Sequence, residues 1–233
     1  MLTIAGFAQK GKPGYEVWTW HDYNLLNNRY ELKTVVLSSA GDCLYYMPEQ
    51  GLLGVTKENS NQTGSWGRYT DKGNKLELLN EKYGKMDFYK VTPTQMSRYP
   101  DKKSSIYKKA KKVDGLKIEG AYTPDVSLYK NTRDITTPLS DPNRRPIIFF
   151  KKDGTYINEG LSFSNITFGD DFAIGKGTYE IKDFSLVLTT EKGRKLQVSF
   201  CGIASSDPAT NPEGYVINGS LYYKLGTKFI PHD

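Results

Sequence analysis

The sequence is poor in histidine and cysteine. It has two of each, His21 and His232, Cys43 and Cys201. Two lone histidines with no third ligand argue against a zinc centre, and the cysteines form no CxxC or other metal spacing. Long apolar stretches are missing too. No segment approaches the ~20 apolar residues of a membrane-spanning helix, and no cysteine near the N-terminus offers a lipid anchor. No glycine-rich phosphate loop precedes a helix. Neither Gly-x-Ser-x-Gly nor Ser-x-x-Lys stands in a convincing context, and a serine nucleophile needs a placed base. Glycosidase chemistry needs two carboxylates held close together, and the 26 acidic residues are scattered. The sequence therefore points to no catalytic residue, no metal and no cofactor.

Aromatic residues are abundant, with 17 tyrosines, 10 phenylalanines and three tryptophans. They sit with β-branched residues in short runs broken by Gly, Asn, Asp and Pro. That pattern indicates an all-β protein. Alternating strands expose every second residue, so a hydrophobic fraction of 37% still fills a small core.

One stretch is said twice. SWGRYTDKGNKLELLNEK (Ser65 to Lys82) returns as GKGTYEIKDFSLVLTTEK (Gly175 to Lys192). Displaced by 110 residues, Gly67, Tyr69, Lys72, Leu76, Leu78, Glu81, Lys82 and Lys85 meet Gly177, Tyr179, Lys182, Leu186, Leu188, Glu191, Lys192 and Lys195, eight identities in nineteen positions. The pattern predicts a hairpin in each copy. Gly-x-Tyr ends one strand, Asp71 to Asn74 or Lys182-Asp183 makes the turn, and Leu-x-Leu points two leucines to one face. A basic turn follows, then a last alternating strand, Met86 to Val91 or Leu196 to Ile203. Upstream, Val35-Val36-Leu37, Ala40-Gly41-Asp42 and Gly51-Leu52 parallel Ile147-Ile148-Phe149, Lys152-Asp153-Gly154 and Gly160-Leu161. Tyr215 to Lys224 reads as a return strand completing the second half.

Each half thus carries seven or eight short strands in hairpin order. A lone meander of that length has two bare edges, and closure into an up-and-down barrel removes them. The expected architecture is two tandem small antiparallel β-barrels with little helix. The expected boundaries are a tail over 1–14, a first barrel over 15–101, a linker over 102–115, a second barrel over 116–226 and a tail over 227–233. The run of apolar strand, Asp-Gly turn, Gly-x-Tyr, Leu-x-Leu and basic turn resembles the bacterial lipocalin-like domains, calycin-type barrels common in exported proteins. The resemblance covers about Tyr30 to Tyr99 and, more closely, Lys117 to Leu225. The Gly-x-Trp of that family belongs near the first strand. Gly64-Ser65-Trp66 has the letters but lies mid-domain, so its role is not carried over. The resemblance implies a binding protein holding a small apolar ligand or peptide.

Charge adds little. The formal net charge is +6, and Lys102 to Lys112 holds six lysines and no acid. This run reads as a solvated linker ahead of a basic patch, because it lies where the repeat places a boundary. Basic and aromatic residues are not interleaved on one strand face, so no nucleic acid is expected. Leu2 to Ala8 resembles the end of a secretory leader, with Gln9 following, as in exported proteins of Bacteroidota. The expected setting is periplasm or cell surface. Cys43 and Cys201 fall on different halves, so a bridge would have to cross between them, and two buried free thiols are expected.

The aromatics carry the binding expectation, since Trp and Tyr offer stiff area with a polar tip. The candidates are Trp18, Trp20, Trp66, Tyr69, Tyr156, Tyr179 and Phe172, each of which also suits a barrel core. Trp18 and Trp20 share one strand face. His21 beside Asp22 reads as a surface histidine at a strand end, and Asp170-Asp171 as a turn ahead of a calcium site. Three functions remain open. An apolar carrier requires an internal cavity. A carbohydrate- or protein-interaction module requires filled barrels and an exposed aromatic patch. An enzyme requires acids converging between the halves.

Overall fold

The computed structural model describes residues 14–24, 29–60, 65–124, 146–161, 173–203, 207–210, 212 and 214–225, with 22–24 and 29–31 described by their backbone alone. These residues form two closed, eight-stranded antiparallel barrels. The first comprises β1 (Tyr15–Asn24), β2 (Arg29–Ser38), β3 (Asp42–Leu44), β4 (Trp66–Asp71), β5 (Lys75–Asn80), β6 (Gly84–Thr92), β7 (Gln95–Ser97) and β8 (Ile106–Lys109). The second comprises β9 (Gly120–Pro124), β10 (Ile147–Phe150), β11 (Thr155–Glu159), β12 (Gly175–Lys182), β13 (Ser185–Thr190), β14 (Lys195–Gly202), β15 (Gly214–Ile217) and β16 (Ser220–Lys224). Each is a plain meander whose last strand returns to its first, β8 to β1 and β16 to β9. No helix among the described residues is long and apolar enough to cross a membrane.

The duplicated Gly-x-Tyr has a structural reason. Gly67 and Gly177 face partner strands too closely for a side chain. A Cβ on Gly67 would lie 2.4 Å from the Leu79 carbonyl oxygen, and one on Gly177 would lie 2.1 Å from that of Thr189. The tyrosine two residues on turns inward and packs in or against the core of its barrel. Its backbone N–H donates to the turn glycine, Tyr69 to Gly41 at 3.0 Å and Tyr179 to Gly154 at 2.8 Å. Its hydroxyl donates to the carbonyl that opens the same turn, Tyr69 to Ser38 at 3.1 Å and Tyr179 to Lys151 at 3.0 Å. Tyr179 is tied further, because the Ile118 N–H donates to its oxygen at 2.7 Å. The repeat thus preserves a lock between the second, third and fourth strands of each barrel.

Four details differ from the sequence reading. Gly-x-Tyr lies inside β4 and β12 rather than at a strand end. The β12–β13 turn is Asp183-Phe184, not Lys182-Asp183. Both residues take positive φ, 46° and 53°, the mirror-image turn whose twist suits a two-residue hairpin. The return segment is two strands, β15 and β16, joined at Asn218-Gly219 with φ 49° and 74°. Finally, β8 lies inside the lysine-rich segment expected to be linker and supplies the first barrel's closing strand. Tyr107 of β8 turns into the core while Lys108 and Lys109 keep their charged ends in solvent, so one inward aromatic in a four-residue strand suffices. The connection that follows, residues 110–119, packs Val113, Leu116 and Ile118 against the second core.

Three apolar clusters hold the molecule together. Trp18, Val35, Leu37, Cys43, Leu78 and Phe88 belong to the first barrel's core. Tyr122, Phe150, Tyr156, Tyr179, Phe200 and Tyr215 belong to the second's, where four ring pairs lie with centroids 4.9 to 6.0 Å apart. The third cluster joins the barrels. Val17, Val36, Leu44 and Leu52 of the first half pack with Phe184, Cys201, Ile203 and Val216 of the second. The β3–β4 connection makes this joint polar as well as apolar. The Ser199 N–H donates to the Glu49 carbonyl at 2.6 Å, and the Gln197 amide donates to the Gln50 and Leu53 carbonyls at 2.9 and 3.0 Å. The Leu53 N–H donates to Ser185 Oγ at 3.0 Å. Lys112 pairs with Asp183 at 2.5 Å and Asp114 at 3.1 Å. Gly51 takes φ 76° and leaves no room for a Cβ against Phe184 and Ser185, which explains the glycine there.

Candidate binding surfaces

The candidate aromatics divide among the three clusters. Trp18 is buried in the first core, with Trp20 and Tyr69 packed against it. Trp20 meets Tyr107 at 5.7 Å between centroids and carries the Lys33 ammonium over its face at 4.8 Å. Trp66 opens β4 on the outer face and packs in the cluster between the barrels. Tyr156 and Tyr179 stand in the second core, and Phe172 lies outside the described residues. The structure thus brings Trp18, Trp20 and Tyr69 together, and Tyr156 with Tyr179, each time as part of an interior. Residues 61–64 and 131–145 fall outside the described residues, as do 205, 206, 211 and 213, Asp170-Asp171 and His232.

Burial sets the protonation of the interior groups. It raises Cys43 and Cys201 to about 12, so both free thiols are held protonated. Burial, then the charge of Lys108, lowers His21 to about 4. His21 is therefore a neutral, half-buried side chain on β1, where the sequence suggested a surface position. Its Nε2 has no hydrogen-bond partner, and neither does the buried hydroxyl of Tyr156. Tyr122 lies near Tyr215, whose own hydroxyl donates to the Pro208 carbonyl at 2.9 Å. Burial pushes Tyr122 up to about 12. Among the described residues no three His, Cys, Asp or Glu side chains gather as a metal site would need.

Two outer surfaces have distinct chemistry. The first is a groove of about 470 Å3 on the second barrel, lined by Lys151, Asp153, Thr155, Lys176, Thr178 and Thr189 among others. Thr155, Thr178 and Thr189 stand in one cross-strand row. Asp153 is held by the Thr155 N–H and hydroxyl at 2.8 and 2.6 Å.

The second surface is aromatic and sits on the first barrel. It lies at the end that carries the β3–β4 and β5–β6 connections. Tyr46, just past β3, is 51% exposed, and Tyr83, in the β5–β6 turn, is 42% exposed. Their rings meet edge to face, 5.9 Å apart and 76° inclined. Buried Tyr45 stands behind them, 5.6 Å from Tyr83, with its hydroxyl donating to the Gly84 carbonyl at 3.0 Å. The Lys82 ammonium lies 5.2 Å from the centre of the Tyr83 ring. Asn80 organises the turn from within, its Oδ1 accepting from the Lys82 and Tyr83 N–H groups at 2.8 and 2.9 Å, and its Nδ2 donating to the Trp66 carbonyl. Neither Tyr46 nor Tyr83 is among the candidates read from the sequence, although for Tyr83 the repeat offers a signal, since its counterpart is Gly193. No protein-family model matches this chain, and no curated protein or solved structure matches it either.

Proposed function

We infer that the protein is a binding module of two lipocalin-like barrels that works from its outer surface, recognising a carbohydrate or protein at the cell envelope after export. The packed interior carries this reading. The described inward side chains of both barrels are large, buried and in contact, with Tyr122, Phe150, Tyr179, Phe200 and Tyr215 interlocked in the second and Trp18, Phe88 and Tyr107 in the first. An eight-stranded barrel is just wide enough for side chains to fill it or for one small ligand. Joined barrels with a shared cluster give such a module a fixed surface, and the exposed Tyr46 and Tyr83 supply the aromatic patch. Native mass spectrometry on gently purified protein tests this directly. A bare chain is expected. A small molecule retained until denaturation overturns the outer-surface reading.

A second reading, a carrier for a small apolar molecule or peptide, has one observation in its favour. The Tyr156 hydroxyl is buried in the second barrel without a hydrogen-bond partner, and a buried unpaired hydroxyl is costly. A bound molecule with a polar atom beside it would satisfy it. Its loss in the Tyr156→Phe variant is the outcome this reading requires.

A further inference from the structure

We propose that the Tyr46–Tyr83 pair is a carbohydrate-binding shelf that takes a pyranose ring against its exposed aromatic surface, a site that rests on the outer-surface reading given above. The internal repeat supplies the comparison. Both β5–β6 and β13–β14 turns begin Glu-Lys, at Glu81-Lys82 and Glu191-Lys192, and each holds a glycine at positive φ one position apart in the repeat, Gly84 at 72° and Gly193, the counterpart of Tyr83, at 76°. The second barrel makes its turn without an aromatic residue. Tyr83 is therefore not dictated by the Glu-Lys opening of the turn, and 42% of it is exposed.

The shelf is set in place before any ligand arrives. Asn80 fixes the turn through two N–H groups, Tyr45 backs the Tyr83 ring, and Lys82 lies over it. A preset surface loses little entropy on binding. Size decides between occupants. Two half-exposed tyrosines offer on the order of 200 Å2, given that a whole aromatic side chain buries 150–250 Å2. A stable protein partner needs about 800 Å2 on each side. A sugar ring matches the smaller area, its C–H face lying against a ring while its hydroxyls reach the tyrosine oxygens. The Lys82 ammonium adds a donor at the edge. A polyanion is disfavoured because Glu81 adjoins Lys82 in the turn.

The test is saturation-transfer NMR on the full chain with three neutral probes, chitotriose, maltotriose and xylotriose. At least one is expected to receive saturation at its ring protons. Tyr83→Gly, which installs the residue of the twin turn, and Tyr46→Ala should each cut that transfer at least fivefold. Tyr46→Ala should keep the parent melting temperature within about 2 °C, as expected for a surface change, and Tyr83→Gly should remain folded with a cooperative transition above the probe temperature. No transfer to any probe, from a chain that native mass spectrometry finds bare, overturns the shelf and leaves the outer-surface reading standing. Transfer that survives both substitutions overturns the shelf as well. A retained internal ligand overturns the outer-surface reading itself, whatever the probes show.

Discussion

At the scale of single residues, the repeated identities are those the backbone cannot do without. Gly177 has no space for a methyl group, with the Thr189 carbonyl at 2.1 Å and the Tyr156 ring at 2.7 Å from the Cβ position. Gly177→Ala is expected to destabilise the protein by about 1–3 kcal/mol, the usual cost of overpacking, read from urea unfolding. The two tyrosine locks differ in strength. Tyr69→Phe loses one hydroxyl bond to Ser38, a cost of about 0.5–1.5 kcal/mol. Tyr179→Phe should cost more, about 1–3 kcal/mol, because the Ile118 N–H is left buried and unpaired. Equal losses in the two variants would contradict this account. His21 gives a pH dependence whose sign follows from burial. Its folded value is about 4, against the ordinary 6.5, so the folded chain binds fewer protons. Its contribution is intact above pH 6.5 and is lost as the pH falls toward 4. His21→Gln should flatten the stability profile across that window, measured by denaturant titration at several pH values. Glu77 acts lower. Lys72, Lys75 and Lys85 hold it near 2, so its contribution fades only as the pH drops from its ordinary 4.5 toward 2. These groups are at the surface, and salt should weaken the effect.

At the scale of elements, hairpin order and strand count were legible because side-chain alternation and turn residues are local signals. Val-Val-Leu, Asp-Gly and Leu-x-Leu announce strands and turns within a few residues. The β8 strand was hidden in lysines, since buried Tyr107 and half-buried Ile106 are its only apolar residues. The Asp183-Phe184 turn was misplaced by one residue because phenylalanine is an unusual occupant of positive φ. Its side chain explains the choice, being buried in the cluster between the barrels. Phe184→Ala is expected to cost about 3–5 kcal/mol. Phe184→Gly should cost about 1 kcal/mol less than Phe184→Ala, although glycine is smaller, because it tolerates φ 53° without strain. The order of the two midpoints in urea decides the point. If alanine is the milder change, the turn is not strained.

At the scale of the whole molecule, the joint between barrels makes the two halves one unit. Leu52, Phe184, Cys201 and Val216 share a core that neither half forms alone, and the Glu49 to Leu53 backbone is bonded across it. Calorimetry of the parent chain should give a single unfolding transition. Leu52→Asp places a charge in that core and is expected to split the transition in two, as domains with independent cores behave. The buried thiols provide a second readout. Cys43 and Cys201 should resist a thiol reagent in the native chain, and Cys201 should become reactive first in Leu52→Asp, because only Cys201 lies at the joint.

By itself the sequence determined the all-β class, the duplication and the closed-barrel architecture, because each follows from alternation, turn chemistry and the need to satisfy sheet edges. It also determined which glycines and tyrosines recur, though not why. Tertiary structure decided the fate of the aromatics. Trp18, Tyr156 and Tyr179 went to the interiors and Trp66 to the joint, while Tyr46 and Tyr83 stayed outside. Every one of these residues is apolar and planar to a sequence reading. Whether a ring faces a core, a second barrel or solvent depends on strands that lie far apart in the chain, and that information is carried by no short stretch of residues.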